Sequence, residues 1–150
     1  MDRVIIFTDG ASKGNPGEAS IGVVIELLAS AKSSSVAKKE YSQYLGKATN
    51  NEAEYQAMIF ALKKLKALLG KEKAKKTQVL LKSDSQLITS QLRGEFEVKE
   101  PGFFPLFIKI WNLKQNFAKV EFETIPREKN RLADKLANQV VKIRQSKLDI

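Results

Sequence analysis

The sequence predicts an α/β fold built on one sheet with antiparallel and parallel parts, and three observations carry that prediction. The chain opens on a short, nearly continuous apolar run, Arg3–Asp9, of the kind that forms a central strand covered on both faces. Apolar residues recur at 3.6 spacing over residues 50–69, which marks a long amphipathic helix. Strand-like and helix-like stretches then alternate to give the order βββαβααβα.

Taken in order, Arg3–Asp9 is the first strand, and Asp9-Gly10-Ala11-Ser12-Lys13-Gly14-Asn15-Pro16-Gly17 is loop chemistry, dense in Gly, Asn and Pro. Ala19–Leu27 and Val36–Gly46 read as the next two strands, joined by a hairpin through the small, polar segment 29–35. The helix over 50–69 carries Glu54, Ala57, Met58, Ala61, Leu62, Leu65, Leu68 and Leu69 on its stripe, with Asn50 as the candidate N-cap. Leu69–Lys76 reads as a loop within the domain. Thr77–Ser83 is a strand and a short helix follows Asp84. Pro105–Gln115 is helical, Ala118–Ile125 is a strand, and Asn130–Arg144 is a final amphipathic helix.

Composition narrows the chemistry. At 150 residues, 43% hydrophobic and 29% charged, the chain can bury a core, so disorder is excluded and a single domain over 1–150 is expected. Zero cysteines exclude disulfide scaffolds, zinc-thiolate sites and thiol nucleophiles; zero histidines exclude a Ser-His-Asp triad and any imidazole ligand or base. Catalysis must rest on carboxylates, lysine, arginine, hydroxyls or bound metal. No apolar run reaches the roughly 18 residues of a membrane helix. The start, Met1-Asp2-Arg3, is too short and too acidic for a secretory signal, so the expected address is the cytoplasm.

The balance of 26 basic and 17 acidic residues gives +9, which favours nucleic acid or an anionic surface as partner. The excess is local: residues 63–76 hold seven lysines against Glu72, and residues 126–150 hold seven basic against three acidic residues. Lysines of the first cluster cover the C-terminal end of the long helix, where they complement its dipole; direct nucleic-acid contact is the second reading.

Two acids end apolar strands: Asp9 closes the first, and Asp84 follows Val79-Leu80-Leu81-Lys82-Ser83. Ligands of open α/β sheets bind beyond the carboxyl ends of parallel strands, so two such strands side by side would make a metal site. Glu54 sits in the first turn of the long helix, close to its apolar stripe, and Asp134 holds the same kind of position in the last helix. Any one of these acids could serve as a helix cap or dipole complement. Four together in a histidine-free basic protein point to hard divalent cations, because clustered carboxylates repel unless cations sit between them, and oxygen-only ligands suit Mg²⁺ or Mn²⁺.

Four separated blocks, TDGASKGNPG (8–17), TNNEAEYQA (49–57), SDSQLI (83–88) and PREKNRLADKLAN (126–138), resemble ribonuclease H type 1 in the family's order and over nearly the whole chain. The resemblance implies a ribonuclease H-like fold: a five-stranded mixed sheet in the order 3-2-1-4-5, its first three strands antiparallel, flanked by helices. It implies Asp9, Glu54, Asp84 and Asp134 as the catalytic carboxylates and as ligands of two Mg²⁺ ions, with Mn²⁺ as a substitute. The implied reaction is endonucleolytic hydrolysis of the RNA strand of RNA–DNA hybrids to 5′-phosphate and 3′-hydroxyl products. Glu52 stands nearer the helix start, but the family's pattern places the ligand three residues after the second Asn of TNN, at Glu54. By the same matching, Asn15, Asn50 and Gln86 fall at positions that reach the minor groove of the hybrid. Thr49 and Asn51 match a pocket gripping a DNA phosphate, and Ser12 and Gly14 match loop positions near the RNA 2′-hydroxyls. The expected acting form is a monomer on a hybrid, with no membrane partner.

The chain also departs from the family. Many relatives carry a histidine in the loop before the last aspartate. Here that loop reads Thr124-Ile125-Pro126-Arg127-Glu128-Lys129-Asn130, and Arg127 is the candidate substitute, as a phosphate-binding cation rather than a base. Where many relatives insert a basic protrusion, this chain has only the net acidic stretch 94–102, which resembles the compact branch found in archaea and some bacteria. No separate hybrid-binding domain is expected ahead of Met1. Phe103, Phe104, Phe107 and Trp111 could stack on DNA sugars, although aromatics at helical spacing are more often core. Other readings are less well supported. Transposase-type and resolvase cores would not carry TNNEAEY and the GNPG loop together. A phospho-acceptor domain needs an acidic pair where Asp9 is followed by Gly10, and a degenerate binding module would not keep all four carboxylates.

Overall fold

Five strands form one sheet in the order β3-β2-β1-β4-β5. The computed structural model describes residues 2–28 and 36–148, so the hairpin expected through 29–35 lies outside the described residues. Strands β1 (Asp2–Gly14), β2 (Gly17–Leu28) and β3 (Val36–Ala48) pair antiparallel. Strand β4 (Thr77–Ser83) pairs parallel with β1, and β5 (Lys119–Thr124) pairs parallel with β4. Parallel neighbours need long crossovers. The first is supplied by α1 (Asn50–Leu69) and α2 (Lys71–Lys75), the second by α3 (Gln86–Leu92) and α4 (Phe104–Lys114), and α5 (Arg131–Leu148) closes the chain.

Successive side chains of a strand face opposite sides of the sheet, and β2 uses both. Ile21, Val23 and Ile25 enter the core with Tyr55, Met58, Leu62 and Leu65 of α1. Gly22, of opposite parity, meets α5 so closely that an added Cβ would lie 2.1 Å from Ala133 O and 2.6 Å from Ala137 N. The Ser20 hydroxyl donates to Ala137 O on the same face. The two helices that carry Glu54 and Asp134 thus cover opposite faces. Gly22→Ala is expected to cost about 2–3 kcal/mol, because backbone lies where the methyl would go. Urea unfolding checks this; an unchanged midpoint would contradict the close packing.

Three elements differ from the sequence-based expectation. Segment 9–17, expected as loop, is strand up to Gly14, with a turn only at Asn15 and Pro16; pairing with β2 continues from Asp9↔Gly22 to Gly14↔Gly17 and outweighs the loop-like composition. The N-cap of α1 is Thr49 rather than Asn50: Thr49 Oγ1 accepts from Glu52 N at 3.1 Å, and Glu52 Oε1 accepts from Thr49 N at 3.1 Å. Leu69–Lys76, expected as loop, contains the short helix α2, held by full burial of Ala74.

The four aromatics before and within α4 divide. Phe103 is buried with its ring centroid 5.3 Å from that of Tyr55, and Phe107 is half-buried. Phe104 and Trp111 are exposed. The core reading therefore holds for two of them and fails for two.

Candidate active site

The register of the parallel pair β1–β4 sets Phe7 opposite Lys82. Two residues further on stand Asp9 and Asp84, side by side at the carboxyl end of β4: Asp84 lies just past that strand, whereas Asp9, expected to close β1, lies within it because β1 runs on to Gly14 beside β2. Glu54 arrives from α1, which can approach because residue 10 is glycine: a Cβ there would lie 2.4 Å from Ala53 C and 2.5 Å from Glu54 N. One carboxylate oxygen each from Asp9, Glu54 and Asp84 lies within 4.8 Å of the others. Asp134, in the first turn of α5, borders the same cleft of about 540 Å³, together with Ser12, Asn50, Arg127 and Asn138.

Electrostatics make this cluster a strained one. Asp9 is 5% exposed, and its carboxyl is pushed up to about 10, first by burial, then by the charge of Glu54 and its shared hydrogen bond, then by Asp84 and Asp134. Glu54 is pushed up to about 7 by burial, although hydrogen bonds with Asp9, the Gly10 N–H and Ser83 work against the shift. Buried carboxylates this close cannot all ionise without a counter-charge. The donors are all oxygen, which suits a hard divalent cation, so the residues present fit a metal site.

Asp134 lies outside the 4.8 Å trio but shares a hydrogen bond with Asp9. Asn138 Nδ2 donates to Asp134 Oδ1 at 3.1 Å, and Arg127 Nη2 lies 3.8 Å from the same oxygen. Arg127 itself is exposed on the turn Arg127–Lys129 and lines the edge of the cleft.

The other residues singled out by sequence are only partly gathered. The Ser12 hydroxyl is within hydrogen-bonding distance of Gly14 O and, at 2.8 Å, of Ala48 O, pinning the β1 end to the β3 end. Asn15 Oδ1 accepts from Asn50 N at 3.0 Å, so these two meet at the rim, with Gly14, the last residue of β1, beside them. Thr49 is occupied as the cap of α1, and that box also engages Glu52, leaving Glu54 as the acid that reaches the cluster. Asn51 lines a neighbouring cavity with Leu87, Gln91 and Phe103 rather than the carboxylate cleft. Gln86 is exposed at the start of α3, where Ser85, not Asp84, caps the helix through Ile88 N at 3.3 Å.

Sequence reasoning missed Gly10 and Asn130. Asn130 is 1% exposed; its Nδ2 donates to Thr8 O at 2.9 Å and reaches Asp84 Oδ2 at 3.4 Å, tying the start of α5 to β1 and to Asp84. Its place four residues before Asp134, one turn earlier at the helix start, was the available signal.

Residues 7–140 match the family described as reverse transcriptase-like. The chain is 37% identical over 139 residues to the bifunctional protein Rv2228c of Mycobacterium tuberculosis, covering 93% of this chain and 35% of that protein. It is equally 37% identical over 139 residues to ribonuclease HI of Halobacterium salinarum, covering 93% of this chain and 64% of the relative. The chain thus spans about a third of the mycobacterial relative and under two thirds of the haloarchaeal one. Among solved structures, the N-terminal RNase H domain of Rv2228c superposes with a TM-score of 0.83 at 34% identity, covering 99% of both chains. LC11-RNase H1, whose structure holds an RNA/DNA hybrid, gives 0.79 at 42% identity over 91% of this chain and 94% of that one. With the sheet order, the carboxylate cluster and these likenesses in agreement, the chain belongs to the type 1 ribonuclease H family.

Proposed function

We propose that the protein is a metal-dependent endonuclease that hydrolyses the RNA strand of RNA–DNA hybrids, leaving 5′-phosphate and 3′-hydroxyl ends. The observation that carries the reading is the trio Asp9, Glu54 and Asp84, with carboxylate oxygens within 4.8 Å in a solvent-open cleft that Asp134 borders. Two divalent cations held there, Mg²⁺ with Mn²⁺ as a substitute, would activate the attacking water and neutralise the leaving 3′ oxygen. Asp9, Glu54 and Asp84 would hold the metal that neutralises the leaving oxygen, and Asp9 and Asp134 the metal that activates the water. Asn130 would hold Asp84 in place, and Asn138 would do the same for Asp134. No side chain needs to act as nucleophile, so a chain without His or Cys lacks nothing that the reaction requires.

Substrate contacts follow from the rim. Asn15, Asn50 and Gln86 would reach the minor groove, Ser12 and Gly14 the RNA sugars, and Thr49 and Asn51 a phosphate of the DNA strand. All four carboxylates come from one chain, so the acting form is taken to be a monomer. Incubating a labelled RNA strand as hybrid, as single strand and as RNA duplex, with metal or with chelator, tests the reading. Metal-dependent cuts confined to the hybrid, ending in 3′-hydroxyls, support it; 2′,3′-cyclic phosphate ends would exclude the metal-bound mechanism.

Arg127 would clamp the scissile phosphate from above the cleft. Charge-assisted hydrogen bonds of this kind contribute about 1.5–3 kcal/mol, so Arg127→Ala is expected to lower kcat/KM about tenfold to a hundredfold. Arg127→Lys should recover part of that loss. Equal activity of all three proteins would remove Arg127 from the site.

A further inference from the structure

Phe104, Ile108 and Trp111 are 46%, 56% and 53% exposed and recur at i, i+4 and i+7, so they form one apolar stripe on the outer face of α4. Three lysines flank it. Lys114 Nζ lies 4.8 Å from the centre of the Trp111 ring. Lys109 stands against Lys63 of α1, and a hydrogen bond to Lys109, together with its charge, holds Lys63 below the usual lysine range. Neither Lys63 nor Lys109 has an ion-pair partner among the described residues. Residues 55–71 and 101–117, which supply this face, contain no Asp or Glu. Acids border it at Glu100, just before α4 in sequence, and at Glu95 and Glu121, which line a cavity with Lys114.

Two crowded lysine amines without a carboxylate partner call for an anion, and the exposed rings on the same helix call for flat apolar groups. Nucleic-acid single strands offer both, because every base has a face to stack and every linkage a phosphate. We propose that the α1–α4 face is a second nucleic-acid site that binds single strands, stacking bases on Trp111 and Phe104 while Lys63, Lys109 and Lys114 take phosphates. Lys63 lies nine residues beyond Glu54 on the same helix, about 14 Å along its axis, so a strand running on from a duplex in the cleft can reach both sites. That use rests on the proposed function; the binding itself does not.

Trp111 is the one tryptophan of the chain, so its fluorescence reports on this face directly. Titrating the whole protein with a twelve-residue oligothymidylate, in chelator, is expected to quench that emission saturably. With about three phosphates neutralised, the slope of log K against log salt should be about −2. Lys63→Glu combined with Lys109→Glu should weaken binding about tenfold or more, Phe104→Ala several-fold, and both should leave cleavage of a blunt hybrid unchanged. The proposal is overturned if saturating oligonucleotide leaves the emission unaltered, or if the double charge reversal leaves affinity the same. It is also overturned if polyglutamate quenches as strongly, which would mark the face as a docking site for acidic protein segments. Quenching without any hybrid cleavage would leave this site standing and remove the proposed function.

Discussion

Asp9→Asn is expected to remove hybrid cleavage by about three orders of magnitude or more while making the metal-free protein more stable. The loss follows from deleting the carboxylate placed between the others, which forfeits several kcal/mol of transition-state stabilisation. The gain follows from the sign of the pKa shifts. Asp9 and Glu54 sit above their ordinary values of 3.8 and 4.5, at about 10 and about 7, because burial and mutual repulsion disfavour ionisation. Groups raised in this way impose no penalty below about pH 4, where both folded and unfolded chains hold the proton. The penalty grows as pH rises from there towards the folded values, where only the folded chain holds the proton, and levels off above them. Metal-free protein should therefore lose thermal stability between about pH 4 and pH 10, and divalent cation should restore it. At pH 8 Asp9 is ionised in the unfolded chain but held protonated in the fold, so replacing it removes that penalty and should raise the metal-free Tm by about 5 °C. Calorimetric scans of both proteins with and without Mg²⁺ check this, and a lower Tm for Asp9→Asn in chelator would contradict it.

Gly10→Ala should do the opposite, costing both stability and activity. The methyl would meet the backbone of Ala53 and Glu54, which cannot yield as a side-chain tip would, so α1 must move away from β1. A cost of about 3 kcal/mol is expected. Because Glu54 moves with α1, metal affinity should fall alongside stability. Mn²⁺ titration at a temperature where the variant is fully folded separates the two effects. Unchanged affinity would show that Glu54 holds its place without the close approach.

Much of this architecture was legible in the residues because local and global preferences agree there. The apolar run ending in Asp9, the alternation of 77–83 before Asp84 and the periodicity of 50–69 each correspond to an observed element. The resemblance supplied the strand order and singled out Glu54 over Glu52, which the capping box with Thr49 then explains. What was not legible depends on tertiary contact. Segment 9–17 has loop composition and is strand because β2 lies beside it. Ala74 forms a helical turn in a lysine-rich stretch because it is buried. Gly10 and Gly22 look like ordinary glycines until the helices that press on them are in place, and Asn130 is only the first residue of the last expected helix until its amide is found against Asp84. Likewise, spacing alone could not separate buried Phe103 from exposed Trp111, eight residues on.

The most direct test of the central claim is the Mg²⁺ dependence of hybrid cleavage in the wild type and in Asp9→Asn, Glu54→Gln, Asp84→Asn and Asp134→Asn. The account predicts cleavage of the RNA strand that requires metal and falls sharply in all four variants, with hybrid still bound. Cleavage that persists in chelator or survives these substitutions would contradict it, as would a hybrid left intact by the wild type at every metal concentration.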